Sequence, residues 1–171
     1  MSAPASEAEL RGQVLRLPVV AATASGTTSL SAFHRALMAA GAGHFNLVRL
    51  SSVIPPGVET VRADAGAVVG EWGDRLYCVY ADQRASTPGE EAWAGVGWVS
   101  RVDEGGGFFV EHEGSSEQEV EDLLRSSLED MVSEEPHAFS APQWVTAGIR
   151  CESDPVAALV IVPYVTALWG S

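Results

Sequence analysis

The chain contains no lysine: its ten basic side chains are all arginine, against 23 acidic ones, for a formal net charge of −13 over 171 residues. Without a lysine amine, neither a pyridoxal phosphate (PLP) Schiff base nor a Schiff-base aldolase mechanism is available. Amine chemistry that needs an electron sink must take its carbonyl from elsewhere. The arginines are scattered and form no basic stripe, which argues against nucleic acid as a partner. An acidic field of this kind suits a small cationic molecule, and it equally serves plain solubility. With only two cysteines there is no disulfide framework, so Cys78 and Cys151 are expected as small buried hydrophobes. No apolar run approaches roughly eighteen residues, and "MSAPASEAELRG" has no basic start followed by an apolar core. No membrane association is expected, and the chain reads as cytoplasmic.

The common signatures of catalysis are also missing. There is no phosphate loop, no Cys or His cluster with metal spacing and no G-x-S-x-G elbow, so no metal is expected. "GAG" at 41–43 follows a helical stretch and lacks the later glycine of a dinucleotide turn. "GGG" at 105–107 reads as a hairpin turn. His112 stands between Glu111 and Glu113, but neighbouring strand positions point to opposite faces, which separates the histidine from both acids.

What is present fits one domain, residues 1–171, with 46% hydrophobic content. Residues 12–23 read as a strand with Pro18 near an edge or at a bulge. In "TTSLSAFHRALMAAGAG", Thr28 or Ser29 caps a helix, Leu30, Phe33, Leu37 and Met38 recur at helical spacing, and Gly41 suits the stop. That spacing puts His34 on the inward face. "FNLVRLSSV" reads as one strand ended by "PPG", with further strands over 67–71, 74–82, 92–102 and 107–113. A second helix carries the stripe Val120, Leu123, Leu124, Leu128, Met131 and Val132, with Ser116 and Glu119 as a capping box. Two closing strands follow, the last nearly all apolar and therefore central. Two helices with seven or eight strands predict an α/β layered sandwich with the helices outside.

Within this pattern Ser51 and Ser52 sit at a strand end before Pro55 and Pro56, which taken alone is ordinary turn chemistry. Their setting is not ordinary. "SLSAFHRALMAAGAGHFNLVRLSSVIPPG" at 29–57, with "FFVEHEG" at 108–114 and "TALWG" at 166–170, resembles the pyruvoyl-dependent arginine decarboxylase family over most of the chain.

The resemblance implies a self-processing zymogen. The second serine of the doublet attacks the carbonyl of the first in an N-to-O acyl shift, and elimination and hydrolysis leave a pyruvoyl group. Here the cut falls between Ser51 and Ser52, giving a β chain of residues 1–51 and an α chain of 52–171 whose first residue is the covalent cofactor, with no PLP. Asn46 matches the family's asparagine and is expected to donate to the oxyanion formed at the scissile carbonyl. In the mature enzyme, the substrate's amine condenses with the ketone, carbon dioxide leaves, and Glu111, matching the family's glutamate, returns a proton. For that it should be partly buried with a raised pKa. The resemblance further implies a four-layer αββα sandwich of two mainly antiparallel sheets, assembled as a homotrimer or a dimer of trimers, with active sites between subunits.

One substrate-reading position departs from the family pattern. The family's aspartate after the helix phenylalanine is His34 here, which brings no negative charge to a guanidinium. Either another acid such as Asp64 or Glu71 supplies it, or the pocket takes a different amino acid; Leu30 and Leu37 would wall the substrate's chain. The expected function is L-arginine to agmatine and carbon dioxide. The alternatives are decarboxylation of another amino acid, or a non-catalytic homologue acting in binding or assembly.

Overall fold

A computed structural model describes residues 15–65 and 68–170. Among these, nine strands and two helices follow in the order β1 (Leu15–Ser25), α1 (Ser29–Ala39), β2 (Asn46–Arg49), β3 (Val53–Ile54), β4 (Val58–Ala63), β5 (Arg75–Ala85), β6 (Glu91–Ser100), β7 (Gly107–Gly114), α2 (Glu117–Ser133), β8 (Gln143–Arg150) and β9 (Val156–Ala167). One sheet has five strands in the order β2-β5-β9-β1-β4, and the other has four, β3-β7-β6-β8. In the larger sheet β2/β5 and β1/β4 are parallel, whereas all pairs of the smaller sheet are antiparallel.

Period-two burial decides the layering. Val19, Val79, Ala81, Val160 and Val162 of the larger sheet meet Ala94, Val96, Trp98 and Phe109 of the smaller one in the central core. The alternate residues Val20, Cys78, Leu159 and Ile161 face α1. On the far side Val99 and Val110 pack beneath Val120, Leu124 and Leu128 of α2. Each such aliphatic side chain, fully buried, contributes about 1.5–3 kcal/mol. The layers therefore run α1, larger sheet, smaller sheet, α2. The nearly all-apolar β9 is buried on both faces because it is the middle strand of five. Cys78 and Cys151 are free and buried.

Both helices are short-range statements of sequence. Thr28 and Ser31 form a capping box at the start of α1, and Gly41, at φ 80°, follows its C-cap. For α2 the Ser116 side chain accepts from the Glu119 amide at 3.3 Å, but the Glu119 carboxylate accepts from the Ser115 amide instead of that of Ser116. The reciprocal half of the expected box is displaced by one residue. α2 lies close on β6 because Gly95 presents no side chain; a Cβ there would come within 2.7 Å of Val120.

Several expectations are corrected. "FNLVRLSSV" is not one strand: β2 ends at Arg49 in the larger sheet and β3 begins at Val53 in the smaller. Residues 68–71 form no strand, while β4, which directly follows "PPG", was not anticipated; residue 67 and the start of the first expected strand lie outside the described residues. The inward face of α1 is Ala32, Ala36, Leu37 and Ala40, whose small side chains let the helix sit close to the sheet. His34 is exposed, as is Leu30 at 69%: both share a helical stripe with Leu37, but that stripe borders the alanine face and of the three only Leu37 is buried.

Pro18 is not near a sheet edge, since β1 runs between β9 and β4. The β1/β9 ladder stops at Val20 and Ile161, and continuing that register places Pro18 opposite Pro163. Neither has an N–H to offer. The strands part there, beside a cavity of about 400 Å³ lined by Pro18, Leu76, Pro163 and Tyr164. On its other side β9 bulges against β5: Cys78 pairs with Pro163 and Tyr77 with Val165, leaving Tyr164 as the extra residue.

Candidate active site

Ser51 and Ser52 occupy the crossing between the sheets. Before them, the Leu50 amide donates to the Cys78 carbonyl at 2.9 Å, the last hold of the larger sheet. After them, Val53 pairs with Phe108, and the Phe109 amide donates to the Ser52 carbonyl at 2.8 Å. Ser52 bridges the gap with φ 68°, a left-handed conformation that costs a non-glycine residue on the order of 1 kcal/mol. Ser51 is exposed and Ser52 half-buried.

From this position the Ser52 hydroxyl donates to Glu111 Oε1 at 2.6 Å, a short charge-assisted contact between residues far apart in sequence. Glu111 lies on the face of β7 that Phe109 turns to the central core, which explains its partial burial. Burial pushes the Glu111 carboxyl above its usual range, while the Ser52 hydrogen bond and the positive fields of Arg49 and His112 pull it partly back. Arg49 is held away from the carboxylate by stacking over the Tyr80 ring, 4.3 Å from its centroid, and by donating to the Tyr80 carbonyl. His112 points to the other side of β7, where its Nε2 meets the Ser127 hydroxyl at 2.8 Å.

Tyr164, the bulge residue, completes the group. Its hydroxyl donates to the Val53 carbonyl at 3.0 Å and its ring meets that of Phe109 edge-on, with centroids 6.1 Å apart. Burial and the neighbouring Glu111 carboxylate both raise the Tyr164 pKa, so the phenol stays protonated. Cys78 is no rival nucleophile: burial pushes its thiol up to about 12 against the opposing field of Arg49.

The structure thus brings Ser51, Ser52 and Glu111 together. It does not bring Asn46 to them within one chain. Asn46 begins β2, at the far end from the serines, and its side-chain amide donates to the Gly73 carbonyl at 2.6 Å while its backbone amide donates to that of Asp74. Leu37 is committed to the contact between α1 and the larger sheet, whereas Leu30 and His34 face outward. Among the described residues no His, Cys, Asp and Glu cluster could hold a metal ion, and no helix is long and apolar enough to cross a membrane. Sequence reasoning missed Tyr164 and the Phe109 amide. Backbone donors carry no residue signature, and the bulge that singles out Tyr164 exists only through pairing.

The residues suit a carbonyl group made from Ser52. An acid with a raised pKa stands within hydrogen-bond reach of the side chain that would be consumed, and an amide N–H already holds the adjoining carbonyl.

Comparison with known proteins bears on this arrangement. A family model described as pyruvoyl-dependent arginine decarboxylase matches residues 16–167. The chain is similar to the pyruvoyl-dependent arginine decarboxylase of Thermococcus kodakarensis, with 32% identity over 143 residues, 83% of this chain and 89% of that one. It is similar likewise to that of Pyrococcus horikoshii, with 33% identity over 150 residues, 85% of this chain and 94% of the relative. Among solved structures, a pyruvoyl-dependent histidine decarboxylase at pH 8 aligns at a TM-score of 0.43 and 18% identity, over 58% of this chain and 53% of that one.

Proposed function

The chain belongs to the pyruvoyl-dependent arginine decarboxylase family, and from that premise we propose that it cuts itself between Ser51 and Ser52 and decarboxylates L-arginine to agmatine and carbon dioxide. The family's cofactor is a covalent pyruvoyl group and not PLP, in keeping with a chain that has no lysine. The observation that carries the reading is the 2.6 Å contact between the hydroxyl of a left-handed Ser52 and Glu111.

The pyruvoyl group supplies a ketone that captures the substrate's amine and draws electrons as carbon dioxide leaves. The chain's own residues do the rest. Glu111 accepts the hydrogen bond of the Ser52 hydroxyl before processing; afterwards it is the acid placed to return a proton to the substrate's α-carbon, a role that burial favours by raising its pKa. The Phe109 N–H holds the carbonyl oxygen of residue 52, where electron density accumulates during the reaction. Buried Ile54 and the adjoining Leu50 keep this corner apolar. The acidic surface suits the cationic substrate's approach.

The working form in this reading is a cytoplasmic homotrimer, alone or paired, in which outward-facing Leu30 and His34 of one copy wall the substrate at the Ser52 site of another. Their exposure supports this, since neither contributes to the core of its own chain. Mass spectrometry of the purified protein tests the cut: two fragments meeting at residues 51 and 52 are expected, and a chain that never splits removes the proposal. Carbon dioxide release from arginine, by wild type and by His34→Asp, tests the substrate. Turnover by neither form would eliminate arginine.

A further inference from the structure

The chemistry proposed above uses Ser52 and Glu111, yet two successive carbonyls beside the reactive serine are each held by a donor from a different sheet. The Phe109 amide of the smaller sheet takes the Ser52 carbonyl, and the Tyr164 hydroxyl of the larger sheet takes that of Val53. Phe109 thereby fixes the Ser52–Val53 peptide plane and Tyr164 the Val53–Ile54 plane that follows it, both on the side that remains intact. The scissile peptide on the other side lies beyond the last hold of the larger sheet, at Leu50.

Tyr164 is itself held from three directions. The bulge enforced by Pro163 sets it apart from the regular ladder, the Phe109 ring braces it edge-on, and it lies half-buried where its proton is retained. A donor held in this way does more than satisfy a carbonyl. With the Val53 carbonyl released, the segment after Ser52 loses its anchor on the larger sheet, and Ser52 gains room to relax out of φ 68° toward the extended region favoured by an ordinary serine.

We propose that Tyr164 is a positioning residue of the processing site: its hydroxyl, by fixing the Val53 carbonyl, holds Ser52 in the left-handed conformation from which its Oγ attacks Ser51. In that step the bond from Ser52 Oγ to the Ser51 carbonyl carbon forms, the Ser51–Ser52 C–N bond breaks, and the hydroxyl proton ends on the freed Ser52 nitrogen. No co-reactant is needed. The inference rests on the self-cleaving function proposed above.

The test follows the self-cleavage of freshly folded full-length chain by mass spectrometry, for wild type, Tyr164→Phe and Phe109→Leu, with a melting curve and circular dichroism spectrum for each. Tyr164→Phe keeps the ring packing and should slow the cut at least tenfold while the melting temperature stays near that of wild type. Phe109→Leu keeps the backbone donor and loosens the brace, with a loss of core packing that its melting curve registers, so a smaller slowing of the folded chain is expected. In the fraction that has matured, Tyr164→Phe should lower kcat for arginine with KM unchanged. A purely structural tyrosine would instead lower the melting temperature and leave the cleavage rate of the folded chain intact, and that result overturns the inference while the function stands. A wild-type chain that never splits overturns both.

Discussion

The sandwich interrupts its ladders in two places, and they are interrupted differently. At Pro18 and Pro163 the pairing stops because neither facing residue has an N–H to give the other's carbonyl, and the strands open onto a cavity. At Ser51 and Ser52 the chain leaves one sheet for the other, and the flanking backbone is recaptured by the Cys78 carbonyl, the Phe109 amide and the Tyr164 hydroxyl. The first gap removes backbone donors; the second keeps its backbone groups and gives the Leu50 amide and the Ser52 and Val53 carbonyls new partners. Only the second can hold a residue in a left-handed conformation with its hydroxyl on a half-buried acid. A break in a sheet becomes chemically useful when its orphaned groups are claimed by partners from different elements.

The contrast can be broken at either end. Ser52→Ala should abolish the cut altogether, because the attacking oxygen is gone, and a single uncut mass is the readout. Glu111→Gln should lower kcat by about 10²- to 10⁴-fold, the usual reach of a positioned acid, with KM for arginine nearly unchanged in steady-state assays. The same glutamate makes the uncut protein's stability depend on pH. Since its folded pKa lies above the ordinary value of 4.5, the folded chain binds more protons than the unfolded one between the two values. Stability from this group therefore falls as pH rises through that window; urea midpoints taken across it should show the decline, and Glu111→Gln should flatten it. The smallest effect belongs to the other gap. Pro18→Val should change the unfolding free energy read from urea titration by less than about 1 kcal/mol and leave the cleavage rate unchanged, because no reactive group depends on that opening.

Legibility in the sequence tracked the range of the interactions. The helices, with Thr28 as a cap and Gly41 as a stop, and central β9 were readable because capping and hydrophobic pattern are local. β4 was not, since "VETVRA" mixes charged and apolar residues and owes its place to a parallel partner far away in sequence. The span 45–53 reads as one strand because nothing local marks a change of sheet; the break follows from pairing with β5 on one side and β7 on the other. His34 was placed inward because Leu30 and Leu37 suggested an apolar stripe, whereas the alanines set the buried face. For the site, a resemblance pointed to Ser52 and Glu111, and only the fold shows why they meet: β3 and β7 are neighbours in the smaller sheet. Asn46 shares the serines' motif, but β2 carries it toward the turn at Gly73.

Strand order has one more consequence for a chain cut between Ser51 and Ser52. β1 and β2 precede the cut, yet β1 lies between β9 and β4, and β2 lies against β5, all three from the other piece. The two fragments would be woven together, and neither could leave without dismantling the larger sheet. Folding before the cut involves one molecule; after it, an unfolded pair must find each other again, so recovery becomes dependent on concentration. Processing would thus act as a ratchet, preserving the assembled fold while removing the covalent continuity from which it was made.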